Sequence, residues 1–325
     1  MKVVKYLMML VLTVFNNITQ AKDFADTFLR LSPDAISRSI GGPNQAYSVG
    51  AADIFINPAL LTKHAGRAMQ FSNIVQSDFL QYINGAFAMP VTGKDHIGIG
   101  LLWANIPDIQ DFGVDGFNAG EFDNYQFVAI AGYARNLSPF SIGANIKYLQ
   151  LGFNSSETDN VGGALAFDAG LHYTLKKVFK FGFVFQNAID IKWNNEGRSV
   201  IPRRMAFGAA WAPSLFSKNF IHVLTSLEQL ESEPLQMNVG MILTFFQSKT
   251  GLHDLNLRLG YGNYELASQN QLSDFENLTE WERNFRVGLG MHMGFSRSFD
   301  LGVDYCFQIE KDLDNQHIIT TSFSF

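Results

Sequence analysis

The sequence predicts an all-β protein: a closed, antiparallel transmembrane β-barrel of about 14 strands with a short N-terminal plug. Three observations predict this class. Large apolar residues alternate with small or polar ones over segments of about ten residues, and short connections alternate with long ones. Charged residues make up only 17% of the chain while aromatic residues reach 14%. Beyond the N-terminus, no stretch has the 18 or more consecutive apolar residues that a membrane-spanning helix needs.

Residues 1–21 have the pattern of a secretory signal peptide. Lys2 and Lys5 precede the apolar stretch YLMMLVLTVF (6–15), which is too short to anchor the chain in a membrane. Removal of the two lysines lowers the formal net charge from −6 to −8. An acidic mature chain argues against nucleic acid as a partner.

Residues 22–67, which we call the plug segment, carry no strand pattern and are too few to fold alone. A barrel of 14 strands encloses more space than its own inward side chains fill. We therefore expect the plug segment to occupy the lumen of a barrel formed by residues 68–325.

The stretch FRVGLGMHMGF (285–295) shows the strand pattern most clearly. Its odd positions are all large and apolar, and its even positions are small or polar. A period of two gives a strand two different faces, so we expect the odd positions to face lipid and the even ones the lumen. Similar stretches occur at 96–106, 165–175, 180–187, 204–213, 235–246, 255–264 and 299–309, with weaker ones at 68–77, 80–90, 122–134, 139–152, 219–230 and 315–325.

The connections alternate in length. Short links such as 91–95 and 296–298 alternate with longer, often acidic ones at 107–121, 154–162, 190–200 and 265–280. Outer-membrane barrels have short periplasmic turns and long outer loops. This sorting predicts the outer membrane of a Gram-negative-type bacterium, with its lipid and the barrel-assembly machinery as partners.

Polar residues at inward positions are the candidate lumen residues: Asp168, His172, Arg204, Arg258, Arg286, His292, Asp300 and Asp304. They could form a constriction or bind the headgroup of an amphipathic ligand. Alternatively, they form a solvated wall whose ion pairs brace the plug segment, since barrel lumens are generally polar. At the C-terminus, Phe323 and Phe325 face outward and form a candidate assembly signal.

No catalytic motif is present. The chain has no G-x-S-x-G, H-E-x-x-H or Cys–His signature, and the acidic residues of 107–121 do not have the spacing of an EF-hand. The single Cys306 excludes an internal disulfide framework. We expect no enzymatic activity, no cofactor and no metal site.

Within the plug segment, LSPDAISRSIGG (31–42) precedes AYSVGAADIFINPALL (46–61). This arrangement resembles PorV/PorQ-type proteins, relatives of the FadL-like long-chain fatty-acid transport barrels. The resemblance lies in Gly41, Gly42, Asp53, Asn57, Pro58 and Ala59. Glycines permit close backbone approach, and proline favours extended geometry at the residue before it. The motif either turns the chain into the first strand or contacts a ligand.

Two functions follow from the resemblance. FadL-like relatives imply a barrel that passes a hydrophobic or amphipathic small molecule through a plugged lumen, so a hydrophobic ligand is a possible partner. PorV/PorQ-type relatives imply instead a non-enzymatic component of a secretion and surface-attachment system of type IX, with other secretion proteins as partners. The sequence alone leaves both open.

Overall fold

The computed structural model describes residues 32–42, 44–76, 80–112, 118–155, 159–176, 178–187, 202–213, 220–231, 234–245, 251–265, 285–296, 299–309 and 315–325. The predicted signal peptide and the first part of the plug segment, 22–31, lie outside these ranges.

The described chain forms a closed antiparallel barrel in which each strand pairs with its sequence neighbours and β1 pairs with β14. The predicted fold class and the number of 14 strands are confirmed. The strands are β1 Ala68–Gln76, β2 Leu80–Pro90, β3 Asp95–Phe112, β4 Asn118–Leu137, β5 Phe140–Ser155, β6 Asp159–Leu175, β7 Phe179–Gln186, β8 Arg204–Trp211, β9 Ile221–Leu230, β10 Gln236–Phe245, β11 Gly251–Glu265, β12 Phe285–Ser296, β13 Phe299–Gln308 and β14 Gln316–Ser324.

The two faces of β12 differ as its sequence predicts. Leu289 is 53% exposed on the outside, whereas Arg286, Gly288 and Gly290 are buried on the inside. The same alternation runs along β3, where Leu101 and Trp103 are exposed outside. Apolar side chains on the outer face indicate that this face contacts lipid. Exposing so much apolar surface to water would be unfavourable, whereas contact with hydrocarbon is not.

The sequence predicts long connections at 107–121 and 154–162, and this prediction is largely wrong. The structure continues β3 to Phe112 and begins β4 at Asn118, and likewise continues β5 to Ser155 and begins β6 at Asp159. Beyond the hydrocarbon band, strands keep their hydrogen bonds but no longer need an apolar outer face. The alternation therefore fades from the sequence although the strands continue.

We call the end where β1 begins and β14 ends the short-turn end. The links 91–94, 138–139 and 297–298 are found there, while the longest intervals between strands, 187–203 and 266–284, are found at the opposite end. We call that the long-loop end. The backbone of Arg67 exchanges two hydrogen bonds with Phe325 at the short-turn end, where the plug segment enters β1.

The described part of the plug segment lies inside the barrel, except for residues 65–67, which are exposed at the short-turn end. It contains helix α1 (Ala35–Ser39), helix α2 (Asp53–Ile56) and a 3₁₀ helix (Pro58–Lys63). Helix α1 packs against β11–β14, and the 3₁₀ helix packs against β3–β6. The segment therefore crosses from one wall to the other. No helix in the described ranges combines the length and apolarity needed to cross a membrane.

Candidate functional site

The plug segment lies directly on glycines of the inner wall. A Cβ atom added at Gly170 would overlap the side-chain oxygen of Asn57, and one at Gly182 would overlap the carbonyl oxygen of Gln45. Likewise, a Cβ atom at Gly260 would overlap the backbone nitrogen of Gly41. Glycine has no Cβ, so it allows two backbones to approach more closely than any other residue would. These inward glycines form the seat of the plug segment.

Gly41 and Gly42 form the turn after α1, with φ angles of +103° and +128°. A Cβ at Gly41 would lie 2.8 Å from the carbonyl oxygen of Tyr261 in the barrel wall. Other residues rarely adopt such φ values. Both glycines of the motif are therefore required by backbone geometry, and at Gly41 by the close approach of the wall as well.

Asp34 begins helix α1 and is fully buried. Its carboxylate accepts hydrogen bonds from the backbone N–H of Ser37 at 2.8 Å and from the Ser37 hydroxyl at 2.7 Å. Burial raises the pKa of Asp34 to about 6, and the two bonds from Ser37 oppose this rise. The side chain thus caps α1 from within the lumen.

Asp53 organises the loop before α2. Its fully buried carboxylate accepts hydrogen bonds from the N–H of Val49 at 2.9 Å and from the hydroxyl of Ser48 at 2.5 Å. The Nε2 atom of His64 lies 3.2 Å from it. Asp53 thus holds two distant parts of the plug segment together.

Asn57 connects three parts of the molecule. Its side-chain oxygen accepts from the N–H of Ala59 at 3.1 Å and so caps the 3₁₀ helix that begins at Pro58. Its amide nitrogen donates to the carbonyl oxygens of Gln45 at 2.9 Å and of Leu171 in β6 at 3.2 Å. The motif residues Asn57, Pro58 and Ala59 are all buried. Their contacts fasten the plug segment to the barrel wall.

The predicted lumen residue Asp168 forms an ion pair with Lys147 of β5, with Nζ and Oδ1 2.8 Å apart. Asn145 donates a hydrogen bond to the other oxygen of Asp168 at 3.1 Å and another to the carbonyl oxygen of Ile54 in the plug segment at 2.8 Å. Both charged side chains are buried, so each needs the other.

A second ion pair joins Arg204 of β8 to Glu228 of β9 through two hydrogen bonds, one of which measures 2.8 Å. Arg204 also donates to the side-chain oxygen of Gln186. The amide nitrogen of Gln186 in turn donates to the carbonyl oxygen of Phe55 at 3.0 Å. Like Asp168, Arg204 is therefore linked to the plug segment through one polar neighbour.

The third ion pair lies on the part of the wall that β11 and β13 form. The Nη2 atom of Arg258 is 2.7 Å from Oδ1 of Asp304, and Nε2 of His292 is 3.2 Å from the other carboxylate oxygen. These three predicted lumen residues are brought together by neighbouring strands β11, β12 and β13.

The remaining predicted lumen residues lie apart from that pair. Arg286 is 1% exposed, and its Nη1 lies close to Gly42. The Nε2 atom of His172 is 3.3 Å from the carbonyl oxygen of Ala46. Asp300 is exposed at the short-turn rim, 3.4 Å from the hydroxyl of Ser324.

At the C-terminus, the ring of Phe323 packs outside the barrel against that of Phe299, with centroids 6.3 Å apart. Phe325 is 44% exposed. Both aromatic side chains are thus accessible from outside, and their role as an assembly signal remains a prediction.

Several lumen residues were missed from the sequence. Lys147, Gln186 and Glu228 occupy inward positions and hold the predicted residues in place. Alternation could have identified Lys147, because it is flanked by the outward Ile146 and Tyr148. Which charges pair across strands depends on register, which alternation does not specify.

Part of the inner wall is apolar. Six buried side chains of β2–β5, which we call the inner apolar band, pack in one cluster with Ile54 of the plug segment: Tyr82, Leu102, Val128, Ile130, Leu149 and Leu151. Along β3, Gly100 lies beneath Ile54 and Phe55, and Leu102 is the next inward position. The band therefore lies on the long-loop side of the plug segment, on a different part of the wall from Arg204 of β8 and Glu228 of β9.

On the short-turn side of the plug segment is a cavity of about 500 Å³. It is bordered by residues of the plug segment and by residues of β9–β14 and β1. Among the described residues, no three or more His, Cys, Asp or Glu side chains are grouped to hold a metal ion.

No family model and no curated protein matches this sequence. Solved structures do match. The toluene transporter TodX of Pseudomonas putida is 13% identical with a TM-score of 0.61, covering 94% of this chain and 99% of that one. The monoaromatic hydrocarbon channel CymD is 12% identical with a TM-score of 0.61, covering 92% and 99%. A FadL homologue of Pseudomonas aeruginosa is 8% identical with a TM-score of 0.52, covering 95% and 99%.

The chain has the fold of these barrels. Its predicted location in the outer membrane follows from that fold, because closed barrels of this kind cross the membrane with their strands. Sequence identities this low establish similarity of fold only. The PorV/PorQ-type assignment therefore remains a prediction.

Proposed function

We propose that this protein passes hydrophobic or amphipathic small molecules across the outer membrane, through the lumen and past the plug segment. The inner apolar band is the observation that carries the proposal. Water-filled barrels have polar interiors. Here Leu102, Val128 and Leu149 face inward with exposures of 3% or less.

Another part of the inner wall, formed by β7–β9, is polar. There Arg204, Glu228 and Gln186 supply charged and amide groups. A molecule with an apolar body and a polar end can contact both parts of the wall. The transporter and channel named above share this fold, which supports the proposal by analogy. Among the described residues, no surface or contact favours the secretion alternative.

Uptake measurements test the proposal. A Gram-negative host without its own hydrophobic-uptake barrels would express the wild type or the double variant Leu102→Gln with Leu149→Gln. We expect initial uptake of radiolabelled toluene and 1-octanol to rise with the wild type and to fall about tenfold in the variant. Placing an amide without a partner in an apolar environment costs about 1–3 kcal/mol, and 1.4 kcal/mol corresponds to a factor of ten.

The matched control is Leu102→Met with Leu149→Met, which keeps the volume and the apolar character of the band. We expect its uptake to equal that of the wild type. Heat-modifiable gel mobility would establish that each barrel has assembled. Uptake no higher with the wild type than with empty vector would refute transport. Unchanged uptake in an assembled glutamine variant would refute this route.

A further inference from the structure

Charge is distributed unevenly between the two ends of the barrel. The six links between strands at the short-turn end contain six lysines or arginines and no acidic residue. The seven links at the long-loop end contain fourteen acidic residues and five basic ones. The whole chain has a net charge of −6, so a basic end does not follow from its composition. This asymmetry indicates an anionic partner at the short-turn end.

Two of the cations at this end lie side by side on neighbouring strands. Lys94 is exposed in the link 91–94, and its backbone carbonyl accepts a hydrogen bond from the N–H of Asn136 at 2.8 Å. Arg135 precedes Asn136 in β4 and is exposed on the outer face of the barrel. Lys94 and Arg135 therefore occupy adjacent points of the short-turn rim.

One acid lies beside them, and two hydroxyl groups already occupy it. The carboxylate of Asp95 accepts hydrogen bonds from the hydroxyls of Thr92 at 2.6 Å and of Tyr133 at 2.5 Å. The Nη1 atom of Arg135 is 3.6 Å from Oδ1 of Asp95, which is too long for a hydrogen bond. We call Lys94, Asp95 and Arg135 the rim cluster. Its two cations and one carboxylate leave a net positive charge.

Exposed apolar side chains surround the rim cluster on the outer face. Arg135 lies opposite Ile142 of β5 in the strand register, and Ile97 is the next outward position after Asp95 in β3. Ile97, Leu137 and Ile142 are all exposed. Basic side chains beside such a surface keep their stems on it and their charged ends at the level of the lipid headgroups.

The length of the links favours a lipid over a soluble protein as the anionic partner. The link that contains Lys94 has four residues, and the link that follows β4 has two. Neither extends the chain far beyond the strand ends, so the cations stay close to the membrane surface. The apolar neighbours of Arg135 likewise suit acyl chains.

We propose that the rim cluster binds the headgroup of an anionic phospholipid from the periplasmic leaflet of the outer membrane. Lys94 and Arg135 contact its phosphate, and an acyl chain packs against Ile97 and Ile142. A zwitterionic lipid is disfavoured, because its own ammonium group offsets the charge of its phosphate. This binding site is separate from the lumen and does not depend on the proposed transport function.

Native mass spectrometry of the purified barrel tests the proposal. The probes are phosphatidylglycerol and phosphatidylethanolamine with identical acyl chains, supplied in equal amounts in nanodiscs. A basic side chain near an anionic lipid surface strengthens association about fivefold, and we expect the wild type to retain phosphatidylglycerol by at least about that factor over phosphatidylethanolamine. Equal retention of the two lipids would overturn the proposal and leave the basic end to a soluble acidic partner.

Three double variants locate the site. Lys94→Gln with Arg135→Gln removes both cations, and we expect the preference for phosphatidylglycerol to fall about fivefold or more. Lys94→Arg with Arg135→Lys keeps both charges and should keep the preference. Lys192→Gln with Arg198→Gln removes two cations from the sequence of a long-loop link and should also keep it. An unchanged preference in the first variant would contradict the assignment to the rim cluster.

A single replacement covers the case in which the first double variant does not assemble. Lys94→Gln changes only an exposed link residue and leaves every strand intact. We expect its preference for phosphatidylglycerol to lie clearly below that of the wild type, because the two cations then no longer outnumber the carboxylate. Heat-modifiable gel mobility would establish assembly. Wild-type preference in the assembled variant would place the lipid elsewhere and refute the proposal.

Discussion

At the scale of the residue, glycine does the most to position the plug segment. Gly182 of β7 lies beneath the carbonyl oxygen of Gln45, and Gly170 of β6 beneath the side chain of Asn57. Each is an inward position of an otherwise regular strand. A methyl group at these positions would displace the plug segment and leave the strand backbone unstrained. The glycines therefore affect docking of the plug more than formation of the barrel.

Gly182→Ala tests this distinction. Forcing one carbon into a packed contact typically costs about 1–3 kcal/mol. We expect a barrel with normal heat-modifiable mobility but with larger or more frequent open-channel currents in planar bilayers than the wild type shows.

Gly93→Ala is the matched control, because no atom lies within 4 Å of a Cβ at that turn position. It should conduct like the wild type. Currents from Gly182→Ala that match those of Gly93→Ala would show that the close contact with Gln45 does not hold the plug segment.

At the scale of the element, the two faces of each strand make different contacts. Residues on the outer face contact lipid, and residues on the inner face contact the plug segment or form ion pairs. Thr320 of β14 illustrates the inner face. Its hydroxyl oxygen accepts a hydrogen bond from the N–H of Ala35 at 2.8 Å and lies 2.8 Å from the hydroxyl of Ser72. An arginine there would collide with helix α1. Inward positions are thus tolerant of charge only where space is open.

Strand β12 offers such a comparison. Leu289→Arg would place a charge on the lipid face, at a cost of about 2–4 kcal/mol near the bilayer midplane. His292→Arg would place a cation beside Asp304 and extend into the cavity. We expect assembly, measured as the yield of heat-modifiable protein, to fall strongly for Leu289→Arg and little for His292→Arg. Equal yields from the two variants would contradict the assignment of the two faces.

At the scale of the whole molecule, the contacts that close the barrel differ from those that hold the plug segment in it. Strand pairing and the lipid face close the barrel, and the eight residue pairs between β1 and β14 all lie outside the plug segment. The plug segment in turn contacts both walls, through α1 on β11–β14 and the 3₁₀ helix on β3–β6. We therefore propose that it restricts passage without being needed for assembly.

Deletion of residues 24–50 tests that proposal. It removes α1 and the loop seated on Gly182, and leaves the 3₁₀ helix and all 14 strands. We expect assembly at near-normal yield and large, steady single-channel conductance, since 14 strands enclose space that their own side chains do not fill. Conductance equal to that of the intact protein would show that residues 24–50 do not obstruct the lumen.

The sequence by itself determined the barrel, its strand number and which face of each strand meets lipid. Those features depend on the local alternation of apolar and polar residues and on the length of the connections. Both can be recognised in the sequence without knowing which strands pair. The sequence also identified Arg258, Asp304 and His292 as inward residues, because each lies at a position that alternates with the large apolar residues of its strand.

Only the tertiary structure decided what those residues contact. Arg258 lies 46 positions from Asp304 in the chain, and the register of β11, β12 and β13 brings their side chains together. The glycine seat, the inner apolar band and the cavity likewise depend on which wall the plug segment crosses. Alternation specifies a face but not a partner, because register and the path of a segment through the lumen are set by long-range contacts.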